Sequence, residues 1–242
     1  MKKMTLNRID ESEYSEREQV NTICSNLSFS GKNIKTILIT SSNAGEGKSY
    51  VASKMALNMA MRGMDVILVD ADLRRSNLAG SFKMYTGTNE IIGLAHYLTG
   101  QAEMEDVIYQ TNVDHFFIVP QGRDLGNPVP LLNSDGFAKL VKHLEQNFGM
   151  VIIDTPPIGL VIDAAEIART CDGIVMIAAH GRTRRKEFRD ALSNMEKTGC
   201  QILGCVLNKV SFDRVSYRKY YNKYYYSHYS SHYYKNDKPS KK

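Results

Sequence analysis

Long apolar runs are missing from this 242-residue chain. No window reaches the roughly 18 consecutive apolar residues a membrane-spanning helix needs, which excludes such a span. Met1-Lys2-Lys3-Met4-Thr5-Leu6 is positively charged but has no apolar stretch behind it, so it does not read as a secretory signal. Cysteine is scarce. Cys24, Cys171, Cys200 and Cys205 form neither a CxxC pair nor a metal-ligand spacing, and are expected to be reduced thiols in a cytosolic protein. There is no internal repeat. With 43% hydrophobic and 24% charged residues, the composition is that of a globular chain. Its length suits one domain with sequence to spare for appendages.

The formal charge is +5, which on its own points to nucleic acid or an acidic membrane surface. The distribution argues otherwise. Residues 211–242 hold eight Lys or Arg against two acids, for +6, whereas residues 1–210 hold 23 against 24, for −1. The same last segment holds nine of the 14 tyrosines: Tyr217, Tyr220, Tyr221, Tyr224, Tyr225, Tyr226, Tyr229, Tyr233 and Tyr234.

Short apolar, β-branched runs at 35–41, 64–70, 115–120, 149–154, 173–179 and 202–208 predict strands buried on both faces, as in a parallel sheet. Helical stretches fall at about 49–62, 134–147, 162–170 and 184–198, with Ser134 or Asp135 as N-cap of the second. Strands alternating with such helices predict a doubly wound α/β fold. A helix near 14–29 is expected to be appended to the sheet, and 80–113 is expected to be irregular. Three regions follow: an N-terminal segment 1–33, a nucleotide-binding domain 34–210 and a flexible, basic, tyrosine-rich tail 211–242.

The first run leads into Ser42-Asn43-Ala44-Gly45-Glu46-Gly47-Lys48-Ser49 and then an Ala/Met-rich helix. This is the P-loop (Walker A) pattern, except that Ser42 stands where the first glycine would be. Gly45 and Gly47 free the backbone to close N–H groups around phosphates, and the helix N-terminus adds a favourable dipole. Residues 43–50, with Asn43, Ala44, Glu46 and Tyr50 flanking those glycines, are expected to hold the nucleotide. Lys48 is expected at the β- and γ-phosphates, and the Ser49 hydroxyl on Mg²⁺.

Two further runs end in acids: Val69-Asp70-Ala71-Asp72-Leu73-Arg74 and Ile153-Asp154-Thr155-Pro156-Pro157. Ligands of open α/β sheets lie at the carboxyl ends of strands, where Asp70, Asp72 and Asp154 fall. Three carboxylates converging on a phosphate loop repel one another unless a cation lies among them, which points to Mg²⁺.

Together these segments resemble the bacterial tyrosine kinases of capsular and exopolysaccharide synthesis, across about residues 15–210. The first acidic segment is similar to their Walker A′, the second to their Walker B. Pro128, Leu131-Leu132, Asp163-Ala164 and Val206-Leu207-Asn208-Lys209 add to the likeness. The resemblance implies an ATP-dependent protein-tyrosine kinase in which Lys48 and Ser49 engage the phosphates and Mg²⁺. It implies that Asp72 and Asp154 hold the metal, Asp70 orients and deprotonates the incoming tyrosine, and Asn208 reads the adenine edge. Arg74 either stabilises the migrating phosphoryl group or forms a salt bridge.

The family's ring-forming members carry E-x-x-R-x-x-R on an N-terminal helix. Here Glu18 is followed by Asn21 and Cys24 in place of both arginines, which argues against the same ring. The resemblance also implies a separate membrane adaptor of the polysaccharide-chain-length type whose cytoplasmic end activates the kinase, a cognate tyrosine phosphatase, and a cytoplasmic location at the inner face of the membrane. The cluster Arg182, Arg184, Arg185 and Lys186 opens a helix, where cations oppose the dipole; this points to an acidic partner, to phosphate, or to a solvated surface.

The tail tyrosines match the family's autophosphorylated end, phosphorylated in trans by another copy. Each phosphate adds about −1.5 to −2 charge, so three or four would cancel the +6. No nucleic-acid partner is expected, although a base-stacking tail is the competing reading of aromatics among basic residues. Two rival functions share the motifs. A positioning ATPase of the ParA/MinD kind carries a second loop lysine where this chain has Asn43, and a regulatory ATPase would use the tail only for docking.

Overall fold

A computed structural model describes residues 1–9, 14–31, 33–88 and 90–210. The nine tail tyrosines lie outside the described residues. The chain divides into a compact unit Met1–Asn208 and a second unit Lys209–Lys242.

The first unit opens with β1 (Lys2–Leu6), α1 (Tyr14–Ser28), β2 (Thr36–Ser41), α2 (Lys48–Met61) and β3 (Val66–Asp70). Shorter elements follow: α3 (Leu78–Phe82), β4 (Met84–Tyr85), α4 (Leu94–Leu98), α5 (Met104–Val107), β5 (Tyr109–Thr111), β6 (Phe116–Val119) and α6 (Val129–Leu132). The chain then alternates regularly through α7 (Asp135–Asn147), β7 (Met150–Asp154), α8 (Asp163–Ala168), β8 (Gly173–Ala179), α9 (Arg185–Glu196) and β9 (Gln201–Asn208).

Among the described residues these strands form one nine-stranded sheet in the order β4-β1-β5-β6-β3-β7-β2-β8-β9. It is parallel except where β1 meets β4 and β5 meets β6. Five of the six apolar runs become inner strands with both faces covered; the sixth, 202–208, becomes the edge strand β9, which has no buried residue, contrary to the sequence expectation. Leu38, Ile67 and Val69 pack on one side with α7 and α8, while Ile37, Ile39, Val66 and Leu68 pack on the other with α1 and α2. All six residues of β2 are buried.

Two further sequence expectations change. The N-terminal segment is built into the fold: β1 pairs in parallel with β5 and antiparallel with β4. Its alternating exposure hid it, since only Met4 and Leu6 of Lys2–Leu6 are buried. Helix α1 packs on α2, with Cys24 buried and its Sγ 3.9 Å from the Met55 carbonyl. Asn21 Oδ1 accepts from Asn58 Nδ2 and from Arg62 Nη2, both at 2.7 Å. The two residues replacing the ring arginines thus serve contacts within the chain. Ser134 does stand at the N-cap of α7, but its hydroxyl donates to the Leu131 carbonyl at 2.6 Å and makes no cap bond. Among the described residues no helix is long and apolar enough to cross a membrane.

Candidate active site

The central strands β3, β7 and β2 all deliver their carboxyl ends to one edge of the sheet. From β2 the chain passes through residues 42–47 into α2. Gly45 and Gly47 sit at φ +76° and +95°, left-handed conformations that side chains resist. A Cβ on Gly47 would also meet Asn208 Nδ2 at 2.1 Å. Helix α2 starts at Lys48 with Gly47 at its N-cap and no side-chain cap, which suits an anion at its positive end. Ser42, in the place of the motif's first glycine, is buried, and its Oγ has no hydrogen-bond partner among the described residues. Gly159, beyond β7, allows this fit, because a Cβ there would lie 2.2 Å from the Ser42 carbonyl oxygen.

The loop is clamped by its own acid. Glu46 is 3% exposed, and its carboxylate accepts from the Asn43 backbone N–H at 2.9 Å and from the Thr183 hydroxyl. Thr183 Oγ1 also accepts from Ala179 N at 2.8 Å, so it fastens the P-loop to the turn after β8. Asn43 Nδ2 donates to Glu187 of α9 at 2.9 Å, and Asn208 Nδ2 donates to the Glu46 carbonyl at 3.0 Å. Asn208, at the end of β9, therefore lies against the phosphate loop. The Tyr50 hydroxyl is turned away to Glu16 of α1.

The three acids fall where the sequence placed them. Asp70 and Asp154 are Cα partners on neighbouring strands, and Ala71 N donates to the Asp154 carbonyl at 2.8 Å. Asp70, Asp72 and Asp154 are all buried. Lys48 Nζ lies 3.4 Å from Asp72 Oδ2. Burial pushes the Asp70 carboxyl well above the usual range and the Asp154 charge pushes it further; a hydrogen bond from Ser76 acts in the opposite direction. Burial lifts Asp154 to about 6, against the pull of Lys48 and of a hydrogen bond from Ser49.

Asp70 Oδ1 and Asp154 Oδ1 are both buried without a hydrogen-bond partner among the described residues. Such oxygens beside like charge are what a bound cation satisfies. Among the described residues no group of three His, Cys, Asp or Glu side chains is placed to hold a metal ion. Asp70 faces Ser76. The donor set expected for Mg²⁺ from the sequence, the Ser49 hydroxyl with Asp72 and Asp154, has two carboxylates and does not depend on Asp70.

Arg74 points to the side of this group. Its Nε and Nη2 form a two-pronged pair with Asp163 at 2.8 and 3.0 Å, and Asp163 is fully buried. Ser76, Thr183, Glu187 and the pairing role of Asp163 had no readable signal in the sequence. Ser76 could be seen only as a small polar residue ahead of a helix.

Two concavities flank the site. One, of about 200 Å³, lies between α2 and α3 and is lined by Ser49, Lys54, Leu57, Leu78 and Phe82. The other, of about 420 Å³, lies over the ends of β8 and β9 against α9, lined by His180, Thr183, Arg185, Phe188, Arg189 and Leu207.

Among known proteins, the AAA domain family model matches residues 34–181. The chain is 44% identical over 203 residues to the tyrosine-protein kinase CpsD of Streptococcus agalactiae, covering 84% of this chain and 87% of that one. Its fold is similar to that of the chimerical protein CapA2B2, with a TM-score of 0.77 and 27% identity over 88% of this chain and 95% of the other. The septum site-determining protein MinD of Pyrococcus horikoshii, complexed with Mg-ADP, shares the fold at a TM-score of 0.60 and 24% identity, over 75% of this chain and 73% of that one.

Proposed function

The chain belongs to the AAA domain family and, within it, to the bacterial tyrosine-protein kinases of the CpsD type, and from that membership we propose that it transfers the terminal phosphoryl group of ATP to tyrosine hydroxyls, foremost those of the tail of another copy. The observation that carries the chemistry is a P-loop lysine, Lys48, 3.4 Å from Asp72, with the buried Asp70 and Asp154 at the carboxyl ends of β3 and β7 each keeping an Oδ1 unpartnered among the described residues.

Lys48 and the backbone of residues 43–50 bind and orient the phosphates, and Asn208 holds the base end of the nucleotide. Mg²⁺ fits the residues present: Ser49, Asp72 and Asp154 would hold it, and it would supply positive charge against the phosphate oxygens. Asp70 takes the proton of the incoming phenol. The phenolate oxygen then bonds to the terminal phosphorus, while the bond to the β-phosphate oxygen breaks and leaves its electron pair on ADP. Arg74 adds positive charge at the migrating group while anchored on Asp163.

The tail is the natural acceptor because its +6 charge suits an acidic, phosphate-bearing site. Phosphorylation removes that charge and releases the tail. A membrane adaptor with an acidic and apolar cytoplasmic end fits the concavity lined by Arg185, Phe188, Arg189 and Leu207, with Arg182, Arg184 and Lys186 adding positive charge in the adjoining sequence. Such an adaptor would hold the kinase at the inner face of the cytoplasmic membrane to regulate capsular or exopolysaccharide synthesis, with a tyrosine phosphatase resetting it.

The test is phosphotyrosine mapping by mass spectrometry after incubation with Mg·ATP and an adaptor peptide. Label on Tyr217 to Tyr234 that is lost in Lys48→Met is expected. ATP hydrolysis without tyrosine label would overturn the kinase reading, and full labelling after deletion of residues 217–234 would overturn the tail as acceptor.

A further inference from the structure

Asp70 ends β3 with its carboxylate buried and its two oxygens in different situations. Oδ2 accepts from the Ser76 hydroxyl, and Oδ1 has no partner among the described residues. Ser76 is itself held from behind. Its Oγ accepts from Leu78 N at 3.0 Å, the first backbone N–H of α3. A hydroxyl has one proton, and here a backbone donor occupies the opposite side, so that proton is directed at Asp70 Oδ2. The chain Leu78 N–H to Ser76 to Asp70 runs in one direction and ends on one of the two carboxylate oxygens.

A carboxylate at the end of a strand can turn about its terminal torsion, which is broad and roughly two-fold. Asp154 and Asp72 nearby would drive that rotation by repulsion. We propose that Ser76 is a positioning residue for phosphoryl transfer, pinning Asp70 Oδ2 so that Oδ1 is the oxygen presented to the tyrosine hydroxyl. The inference rests on the reading of Asp70 as the group that receives the tyrosine proton. It also gives α3 a role, because Leu78, whose N–H fixes Ser76, lines the concavity beside Ser49. A shift of α3 would be felt at Asp70 through two hydrogen bonds.

The experiment compares full-length wild type, Ser76→Ala, Ser76→Thr, Asp70→Asn and the Asp70→Asn/Ser76→Ala double variant. Rates of tail labelling are measured at saturating Mg·ATP, with KM for ATP, equilibrium binding of a fluorescent ADP analogue and thermal midpoint in parallel. Ser76→Ala is expected to lower kcat about 10- to 100-fold, the range for losing a support of a catalytic group. KM and analogue binding should stay within about two-fold of wild type, since neither Ser76 nor Asp70 lies among the phosphate-loop residues. Ser76→Thr should recover most of the rate, and Ser76→Ala should add nothing in the Asp70→Asn background.

An unchanged kcat in Ser76→Ala overturns the inference. So does a Ser76→Thr that binds the analogue normally yet is as slow as Ser76→Ala, or a full additional loss in the double variant. If Ser76→Ala does not fold, the same comparison is made between Ser76→Thr and Ser76→Val, which are alike in shape and differ in the hydroxyl. Absence of tail labelling by the wild type would instead overturn the kinase reading, so the two failures are distinguishable.

Discussion

Asp70 and Asp154 are register partners at the carboxyl ends of adjacent parallel strands, each buried and each with an Oδ1 that no group among the described residues satisfies. Two acids so placed destabilise the fold for the sake of what they bind. Much of the site's behaviour follows from that conflict between stability and chemistry.

The first consequence is a pH dependence of the metal-free protein. Burial lifts the Asp154 carboxyl to about 6. The folded chain then keeps a proton that the unfolded chain has lost, so stability is greatest below about pH 4 for this group and falls as pH rises through about 6. A lift of that size corresponds to about 3 kcal/mol at most. In EDTA, Asp154→Asn should raise the thermal midpoint near neutral pH and flatten its fall between about pH 4 and pH 6. Identical pH profiles for the two proteins would contradict this account, whatever the variant does to activity.

Gly47 carries two constraints at once, a φ of +95° and a contact that a Cβ would make with Asn208 Nδ2 at 2.1 Å. Gly47→Ala should cost about 1–3 kcal/mol and weaken nucleotide binding at least ten-fold. Adding Asn208→Ala should relieve the clash but leave the backbone strain. Denaturant melts should therefore show partial recovery, and full recovery would mean that the contact alone mattered.

Arg74 and Asp163 separate structure from chemistry. Arg74→Ala strands a fully buried carboxylate and should cost about 3–5 kcal/mol. Arg74→Ala with Asp163→Asn removes the charge along with its partner, so most of the stability should return. Tail phosphorylation should nonetheless stay low if the guanidinium acts on the phosphoryl group. Wild-type rates in the double variant would make the pair a brace and nothing more.

Thr183 bonds to both Glu46 and Ala179 N. Thr183→Val leaves a buried carboxylate short of one donor and a backbone N–H without its acceptor, which costs about 1–3 kcal/mol. Nucleotide affinity measured by titration should fall several-fold, and Thr183→Ser should restore it. Equal affinities across all three proteins would show that the P-loop keeps its shape without the clamp.

The six apolar runs of the sequence all became strands; burial on both faces explains the signal of five, whereas β9, expected to be buried, lies at the sheet edge and is half-buried or exposed along its length. The strands the pattern did not reveal are β1, β4 and β5. In β1 only Met4 and Leu6 face inward, and β4 has just two residues. The phosphate loop and its three acids were equally legible, because Gly-Lys-Ser and strand-terminal aspartates are local patterns. What could not be read is which side chains support them: Ser76, six positions on, for Asp70, and the distant Asp163 for Arg74 and Thr183 for Glu46. Each depends on a tertiary contact, made over as many as 137 positions for Thr183 and Glu46. Ser134 shows the same limit locally, since the residue is at the cap position but its hydroxyl serves the preceding turn.

Asn208 is the last residue of β9, the outermost strand on its side of the sheet, and its side chain rests on the backbone of Glu46. Edge strands are where parallel sheets open most readily in native-state fluctuations. An opening of β9 removes Asn208 from the P-loop, so occupancy of the nucleotide site and protection of this edge from hydrogen exchange are thermodynamically linked. Amide exchange along Gln201–Asn208 should slow when nucleotide binds, reporting on a loop some 160 residues earlier in the chain.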